Sequence, residues 1–468
     1  MAPKPTDSQT LGGGGGSPHT EVEDEYEKLV IKMNPPRVTV DNTSDMAATL
    51  VKVDSVNKFG SLLEVVQVLT DLKLTIRRAY ISSDGEWFMD VFHVVDREGN
   101  KIYDGEVIDR IEESLGAKSF SLRSATRSVS IQATAEYTCI ELLGQDRPGL
   151  LSEIFAVLVN LECNVVGAEV WTHSLRMASV IYLTDESTGT PIEDPDRLNT
   201  MKRLLRFVLK GSGDKRSTAR TAISEEVTHI ERRLHQLMCA DRDCALGGSK
   251  CSDEEEAEQS ETNKTVVTVE SCVEKGYTVV NVRCNDRPKL LFDAVCTLTD
   301  MEYVVFHGTV IAEGPEAYQE FYIRHLDESP IISEAEGRRL VHSLEAAIER
   351  RNTEGIRLEL CCEDRFGLLS DVTRIFRENG LSVTHAEVST RGAQAVNVFY
   401  VMDATGGPVE SQTIEAVRNK IGEKILHVRD DLKSKSPTKD SGSSSFGNMI
   451  RSRSEKFLYN LGLIRSCS

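Results

Sequence analysis

Asp146-Arg147-Pro148-Gly149-Leu150-Leu151 is the stretch on which the reading turns, because it comes back. Asp364-Arg365-Phe366-Gly367-Leu368-Leu369 repeats it almost letter for letter, and Asp286-Arg287-Pro288-Lys289-Leu290-Leu291 repeats it with the glycine lost. Asn57-Lys58-Phe59-Gly60-Ser61-Leu62 is a weaker fourth copy. Each copy follows an apolar, β-rich run, such as Ala48 to Val53 or Tyr137 to Leu143. Each opens a stretch whose apolar residues recur at helical spacing: Leu62, Val65, Val66 and Leu69 in the first, Leu150, Leu151, Ile154, Phe155 and Leu158 in the second, and Leu368, Leu369, Val372 and Phe376 in the fourth.

Outward from the turns, the same order recurs. Leu74 to Ile81 and Trp87 to Val95 read as two strands around the hairpin signal Ser82-Ser83-Asp84-Gly85, with a second helix over Glu106 to Leu115 and a last strand over Ser119 to Leu122. In the second unit Asn164 to Trp171 and Ala178 to Thr184 are the hairpin strands, and Pro195 to Leu209 is the second helix. In the fourth, Ser382 to Val388 and Val396 to Met402 pair. The pattern is an α+β chain of four βαββαβ units. The step from the second turn to the third is longer than the others, and it holds a helix (Ser224 to Cys239) and an acidic low-complexity linker (Ser252 to Glu261). The chain divides as a flexible N-terminal segment at 1–34, unit one at 35–123, unit two at 135–212, helix and linker at 213–264, unit three at 276–352, unit four at 354–432, and a tail at 433–468 with an amphipathic stretch carrying Phe457, Leu458, Leu461 and Ile464.

The 468 residues are too many for one core. Hydrophobic content of 40%, charged content of 28% and a net charge of -19 describe a soluble globular protein that repels nucleic acid and anionic membranes. The longest apolar runs, such as Ile154 to Leu161, are far shorter than a bilayer span. Residues Met1 to Thr20 have no apolar core, so a secretory signal is not expected, and their lack of arginine weakens a transit-peptide reading. The eleven cysteines fall mainly within expected strands and helices, which suits reduced thiols and a cytoplasmic or nuclear location.

The four units resemble the ACT domain, a ferredoxin-like βαββαβ module that binds amino acids in metabolic regulators. Four in one chain with no catalytic region resemble the plant ACT-domain-repeat proteins, related to bacterial uridylyltransferase sensors; Met33-Asn34-Pro35-Pro36-Arg37-Val38 and Val65 to Leu72 are similar to that family's start. The resemblance implies a non-enzymatic regulator with a free amino acid as ligand, no cofactor and no metal. It also implies units associated through sheet edges, with ligands at the seam. By chain order, unit one should pair with unit two and unit three with unit four. A single unit buries only about 60% of its unfolded surface and leaves edges open, so pairing is expected on size alone.

The turn suits a zwitterion. Helix N-terminal N–H groups and the helix dipole favour a carboxylate by roughly 0.3 to 1 kcal/mol. Gly149 and Gly367 let a ligand approach the main chain, and Asp146 and Asp364 match an ammonium. The same residues also serve as an ordinary helix cap and turn. The resemblance adds a polar residue at the start of the second strand: Asn164 in unit two, Ser382 in unit four and Thr75 in unit one. Unit one has Asn57 in place of the aspartate, keeps Gly60, and lacks the proline; unit three has Lys289 for glycine and Val304 at the strand position. Units four and two are the expected sites, then one, with three last.

Other signals are weaker. Gly247-Gly248-Ser249 before Asp253 to Glu256 lies in low-complexity linker, with no strand-helix context for a nucleotidyltransferase. No His-Asp dipeptide occurs. His235, Cys239, Cys244 and Cys251 match no zinc spacing. His307 and His385 hold equivalent positions, which repeat packing explains. The strand order is shared with RNA-recognition modules, which need stacking aromatics and basic residues on the third strand; Glu86 to Phe92 has aromatics but includes Asp90, and the other units lack the pattern. The alternative to a sensor is a scaffold that keeps the fold and acts through protein partners.

Overall fold

The computed structural model describes residues 37–84, 87–116, 137–210, 219–224, 229–239, 265–312, 314–351 and 355–429. Unit one comprises β1 (Arg37–Asp41), β2 (Thr49–Val56), α1 (Ser61–Asp71), β3 (Thr75–Ser82), β4 (Trp87–Val95) and α2 (Gly105–Leu115). Unit two comprises β5 (Thr138–Gln145), α3 (Leu150–Asn160), β6 (Cys163–His173), β7 (Arg176–Asp185), α4 (Pro195–Lys210) and β8 (Arg220–Ser224), and is followed by α5 (Ile230–Cys239). Unit three comprises β9 (Val266–Cys272), β10 (Tyr277–Asn285), α6 (Leu290–Asp300), β11 (Tyr303–Ala312), β12 (Glu316–His325) and α7 (Glu334–Glu349). Unit four comprises β13 (Ile356–Glu363), α8 (Leu368–Glu378), β14 (Leu381–Arg391), β15 (Gln394–Asp403), α9 (Ser411–Ile421) and β16 (Leu426–Arg429).

The strands form two antiparallel eight-stranded sheets, ordered β1-β2-β4-β3-β11-β12-β10-β9 and β16-β13-β15-β14-β6-β7-β5-β8. The four units therefore stand as two pairs, but not the pairs that chain order suggests. Unit one joins unit three through β3 and β11, and unit two joins unit four through β6 and β14. Neighbourhood in sequence carries little weight here, because each doubling of a connecting loop costs only about 0.6 kcal/mol in closure entropy. What makes pairing possible is the edge left open. In every unit one edge is covered by an extra strand, so the second strand of the repeat is the edge left to pair.

The covering strand differs in origin. In units two and four it follows the second helix (β8 and β16), giving the expected βαββαβ order. In units one and three it precedes the repeat (β1 and β9), so among the described residues these units run ββαββα. Units of like construction pair. The expected strand at Ser119 to Leu122, the acidic linker at Ser252 to Glu261 and the C-terminal amphipathic stretch lie outside the described residues. The helix expected from Ser224 starts at Ile230, since Ser224 ends β8, and β8 and β9 were not read from the sequence at all.

One face of each sheet carries the helices. Val53, Val66, Leu69, Phe92, Val282, Phe292, Leu298 and Phe321 belong to one continuous core shared by units one and three. Ile140, Ile154, Phe155, Leu183, Val372, Phe376 and Phe399 belong to the core shared by units two and four. On the other face of the second sheet, α5 lays Leu234 and Met238 on Cys139, Trp171 and Val180. No described helix is long and apolar enough to cross a membrane.

Because each seam joins residues from opposite sides of 240–264, a chain cut in that stretch should survive as a 1:1 complex of its two pieces when they are produced together. Size-exclusion chromatography checks this; two pieces that each elute as folded, separate monomers would exclude the crossed pairing.

Candidate functional site at the seams between units

All four turns have one geometry. Gly60, Gly149, Lys289 and Gly367 each precede the first residue of their helix with φ of 87°, 81°, 66° and 78°, the left-handed region that favours glycine. No side chain at these positions caps the helix, so the aspartate is not the helix cap that its position suggested. The backbone of the turn is held from below: Asp146, Asp286 and Asp364 donate their N–H to Leu175, Pro315 and Ala393 at the hairpin tips. The arginine is held sideways by a carboxylate in the first turn of the helix: Arg147 pairs with Glu153, Arg287 with Asp293 at 2.7 Å and Arg365 with Asp371 at 2.7 Å. That leaves the turn aspartates half-buried beside the main chain. Burial pushes the Asp146 carboxyl upward, against hydrogen bonding from the Arg147 backbone and the charge of Arg147. Asp364 accepts a hydrogen bond from Thr390 Oγ1 at 3.1 Å.

The turns and the polar strand residues come together across units. Asp364 and Gly367 of unit four line a cavity with Asn164 and Val165 of unit two. Asp146 and Gly149 of unit two line a second with Ser382 and Val383 of unit four. Thr75 and Ile76 of unit one line a third with Asp286, Pro288 and Lys289 of unit three. The sequence places Asn164, Ser382 and Thr75 at equivalent positions but cannot say which turn each one faces; the seam strands decide it. Asn57 and Gly60 line none of these three cavities. A water molecule's centre can range over about 20 Å³ in each, enough for a water but not for a free amino acid unless the seam relaxes.

The two cavities of the second sheet are related by repeat but not equal. A Cβ on Gly367 would meet nothing within 4 Å, whereas on Gly149 it would lie 2.7 Å from Arg377 Cδ. The Arg377 stem lies across the Gly149 turn; its counterpart in the repeat, Val159, lines the Gly367 cavity without approaching the glycine as closely. Sequence reading missed a further position. Asp90, Ser179, Gln319 and Asn397 sit opposite Val53, Leu142, Val282 and Leu360 in their sheets, each four residues before a turn. All four are buried polar residues in the row that faces the helices. A single polar residue interrupting an inward apolar row was the available signal. Burial pushes the Asp90 carboxyl up to about 8, opposed by a hydrogen bond from Ser82 N–H at 3.2 Å.

Unit three departs from the motif for a structural reason. Lys289 pairs through Nζ with Glu231 of α5, and Arg351, following α7, joins Glu231 Oε2 at 2.8 Å to Asp293 at 3.0 Å. The Arg351 guanidinium stacks 4.6 Å from the Trp171 ring of unit two. Burial alone would push the Asp293 carboxyl up, but Arg351, Arg287 and the His235 hydrogen bond at 2.8 Å hold it well below the usual carboxylate range. This buried cluster joins the two pairs through α5. It also uses His235, one of the four residues weighed as a zinc set; Cys244 and Cys251 lie outside the described residues. His307 and His385 take equivalent places at the seams, edge-on to Tyr322 and Tyr400. Glu169, His385 and Glu387 lie close together across the seam. Glu169 accepts from Trp171 Nε1 at 2.9 Å and burial pushes its carboxyl up, whereas the Glu387 carboxyl is held down at about 2 by His385 and then Lys289.

Substitutions at Gly367, Gly149 with Arg377, and Asp90 follow from this geometry. Gly367→Ala should cost about 1 to 2 kcal/mol in urea denaturation, from the left-handed backbone alone. Gly149→Ala should cost more, and adding Arg377→Ala should recover the excess; equal costs at both glycines would refute the contact. Asp90 has its pKa raised by folding, so its neutral form stabilises fully below pH ~4 and that contribution is lost as pH rises toward 8. Asp90→Asn should therefore raise stability at pH 7 by on the order of a few kcal/mol and flatten the stability profile across that window.

Residues 140–206 and 356–422 match the family model for the ACT domain, and residues 44–121 match that for the ACR family N-terminal ACT domain. The chain is 52% identical over 454 residues to ACT domain-containing protein ACR4 of Arabidopsis thaliana, covering 96% of this chain and 99% of that one. It is 56% identical over 411 residues to ACR6 of the same plant, covering 87% of this chain and 92% of that one. With fold, repeats and sequence in agreement, the chain belongs to the plant ACR family of tandem ACT-domain proteins.

Proposed function

We propose that the protein is a non-enzymatic, amino-acid-responsive regulator, with its ligand at the seam of units two and four. The observation that carries this is the crossing of the site: a glycine turn from one unit and a polar strand residue from its partner line one cavity. The α-carboxylate meets the first-turn amides after Gly367, the ammonium meets Asp364, and Asn164 reads the remainder. The same placement on the other side uses Gly149, Asp146 and Ser382. Since the cavity must widen to admit a ligand, occupancy shifts the seam, and the shift is what a partner protein reads. A ligand of so few atoms binds in the micromolar to millimolar range, about -8 to -4 kcal/mol, as befits sensing a metabolite pool. We place this activity in the cytoplasm or nucleus.

A scaffold without ligand is the second reading, favoured by the narrowness of the cavities and by the Arg377 stem lying over Gly149. Calorimetry of the full chain against each of the twenty amino acids separates the two. The expected result is saturable binding of one or a few of them, weakened at least tenfold by Gly367→Val or Asn164→Leu. Silence across the panel at millimolar ligand would leave the scaffold.

A further inference from the structure

The second sheet is covered unequally on the face that looks away from α3 and α8. In unit two, Leu143 on β5, Trp171 on β6, and Ala178 and Val180 on β7 are buried on that face, in one cluster with Leu234 and Met238 of α5. The repeat carries these places into unit four as Cys361 on β13, Ser389 on β14, and Val396 and Val398 on β15. Along β15, Val396, Val398, Tyr400 and Met402 alternate with the buried Ala395, Asn397, Phe399 and Val401, so they point away from the core. They are only half-buried, and Cys361 beside them is exposed. An apolar row left open on an inner strand marks a surface that something covers.

What covers unit two indicates what covers unit four. α5 follows β8, the last strand of unit two, and the tail follows β16, the last strand of unit four. Arg233 of α5 grips Glu141 on β5 with two hydrogen bonds, Nε to Oε1 at 2.7 Å and Nη2 to Oε2 at 2.8 Å. Glu359 is the repeat of Glu141, and it pairs with Arg357 of its own strand at 2.7 Å. In the tail, which lies outside the described residues, Ile450, Arg453, Phe457 and Leu458 recur at the mutual spacing that Ile230, Arg233, Leu237 and Met238 have on α5. Ser454 stands where α5 has Leu234, while Leu461 and Ile464 extend the apolar stripe. The stretch is basic in a chain of net charge -19: Arg451, Arg453, Lys456 and Arg465 stand against Glu455. The connection at 430–449 is long enough to reach any strand of the unit-four half of the sheet, since each extended residue spans about 3.3 Å and neighbouring strands lie about 4.8 Å apart.

We propose that residues 450–464 pack on the open face of unit four as a second copy of α5, with Phe457 and Leu458 over Val396 and Val398 and Arg453 meeting Glu359. The occupant is the tail of the same molecule. Both halves of the second sheet are then covered by the segment that follows their own unit.

Cys361 reports the contact, because Leu143 at the equivalent place is buried with α5. Maleimide labelling of the full chain, read at Cys361 by peptide mass spectrometry, should be at least tenfold faster after Phe457→Asp with Leu458→Asp. Arg453→Glu should also speed labelling, and adding Glu359→Arg should slow it again. Hydrogen exchange should show residues 450–464 protected in the unaltered chain and released by Val398→Asp. Equal labelling of the unaltered chain and the Phe457→Asp, Leu458→Asp variant overturns the proposal, as does free exchange of 450–464 in the unaltered chain. Protection that survives Val398→Asp places the tail elsewhere and overturns this site. Protection that falls on dilution shows a second molecule supplying the tail and overturns the intramolecular contact. If Val398→Asp does not fold, the tail variants, which leave both cores untouched, decide the matter through Cys361.

Discussion

The structure depends on how each unit disposes of its open strand edge. An unpaired edge exposes a row of N–H and C=O groups that invite pairing. Here each unit covers one edge with a strand of its own and offers the other to one partner. The offered edges meet over Ile81, Tyr80 and Ala79 against Gly308, Thr309 and Val310, and over Val170, Glu169 and Ala168 against Ala386, Glu387 and Val388. Close approach in the first seam uses Gly308, where a Cβ would come 3.1 Å from Ile81 Cδ1 and 3.2 Å from the Glu320 carbonyl oxygen. From these two rows of backbone bonds follow the shared cores, the facing of turn against partner strand, and the cavities themselves.

A second constraint, electrostatic, holds the two pairs together. Asp293 is fully buried and is tolerated because Arg351, Arg287 and His235 surround it. Ion clusters of this kind contribute little net stability against an apolar substitute, but losing one member leaves a buried charge without a partner, at about 3 to 5 kcal/mol. Lys289 shows the exchange at the level of one residue: a left-handed backbone that disfavours lysine, set against an ion pair to α5.

Much of this was legible from the chain. The turn copies, the helical stripe Leu150, Ile154, Phe155 and Leu158, and the hairpin strands after each helix mark out the units, because local periodicity dictates local structure. The separate fates of Gly149 and Gly367 were not legible, since they depend on Arg377, which reaches across the seam to Gly149, while nothing comes as close to Gly367. Nor was the choice of partner: all four units leave the equivalent edge open, so the repeat does not say which two meet. β1 and β9 escaped because they precede the turn motif that anchored the repeat, and a strand that covers an edge carries no turn signature of its own. Gln319 was overlooked because one polar residue in an apolar strand looks like an irregularity until the other repeats are laid beside it.

The crossed connection has a bearing on assembly. Each seam takes one edge from before residue 240 and one from after residue 264, so two molecules can trade C-terminal halves while reproducing every backbone pair of both seams. The exchanged dimer and the monomer then share their cores, their cavities and their seam bonds. Protein concentration would set the balance between two such forms.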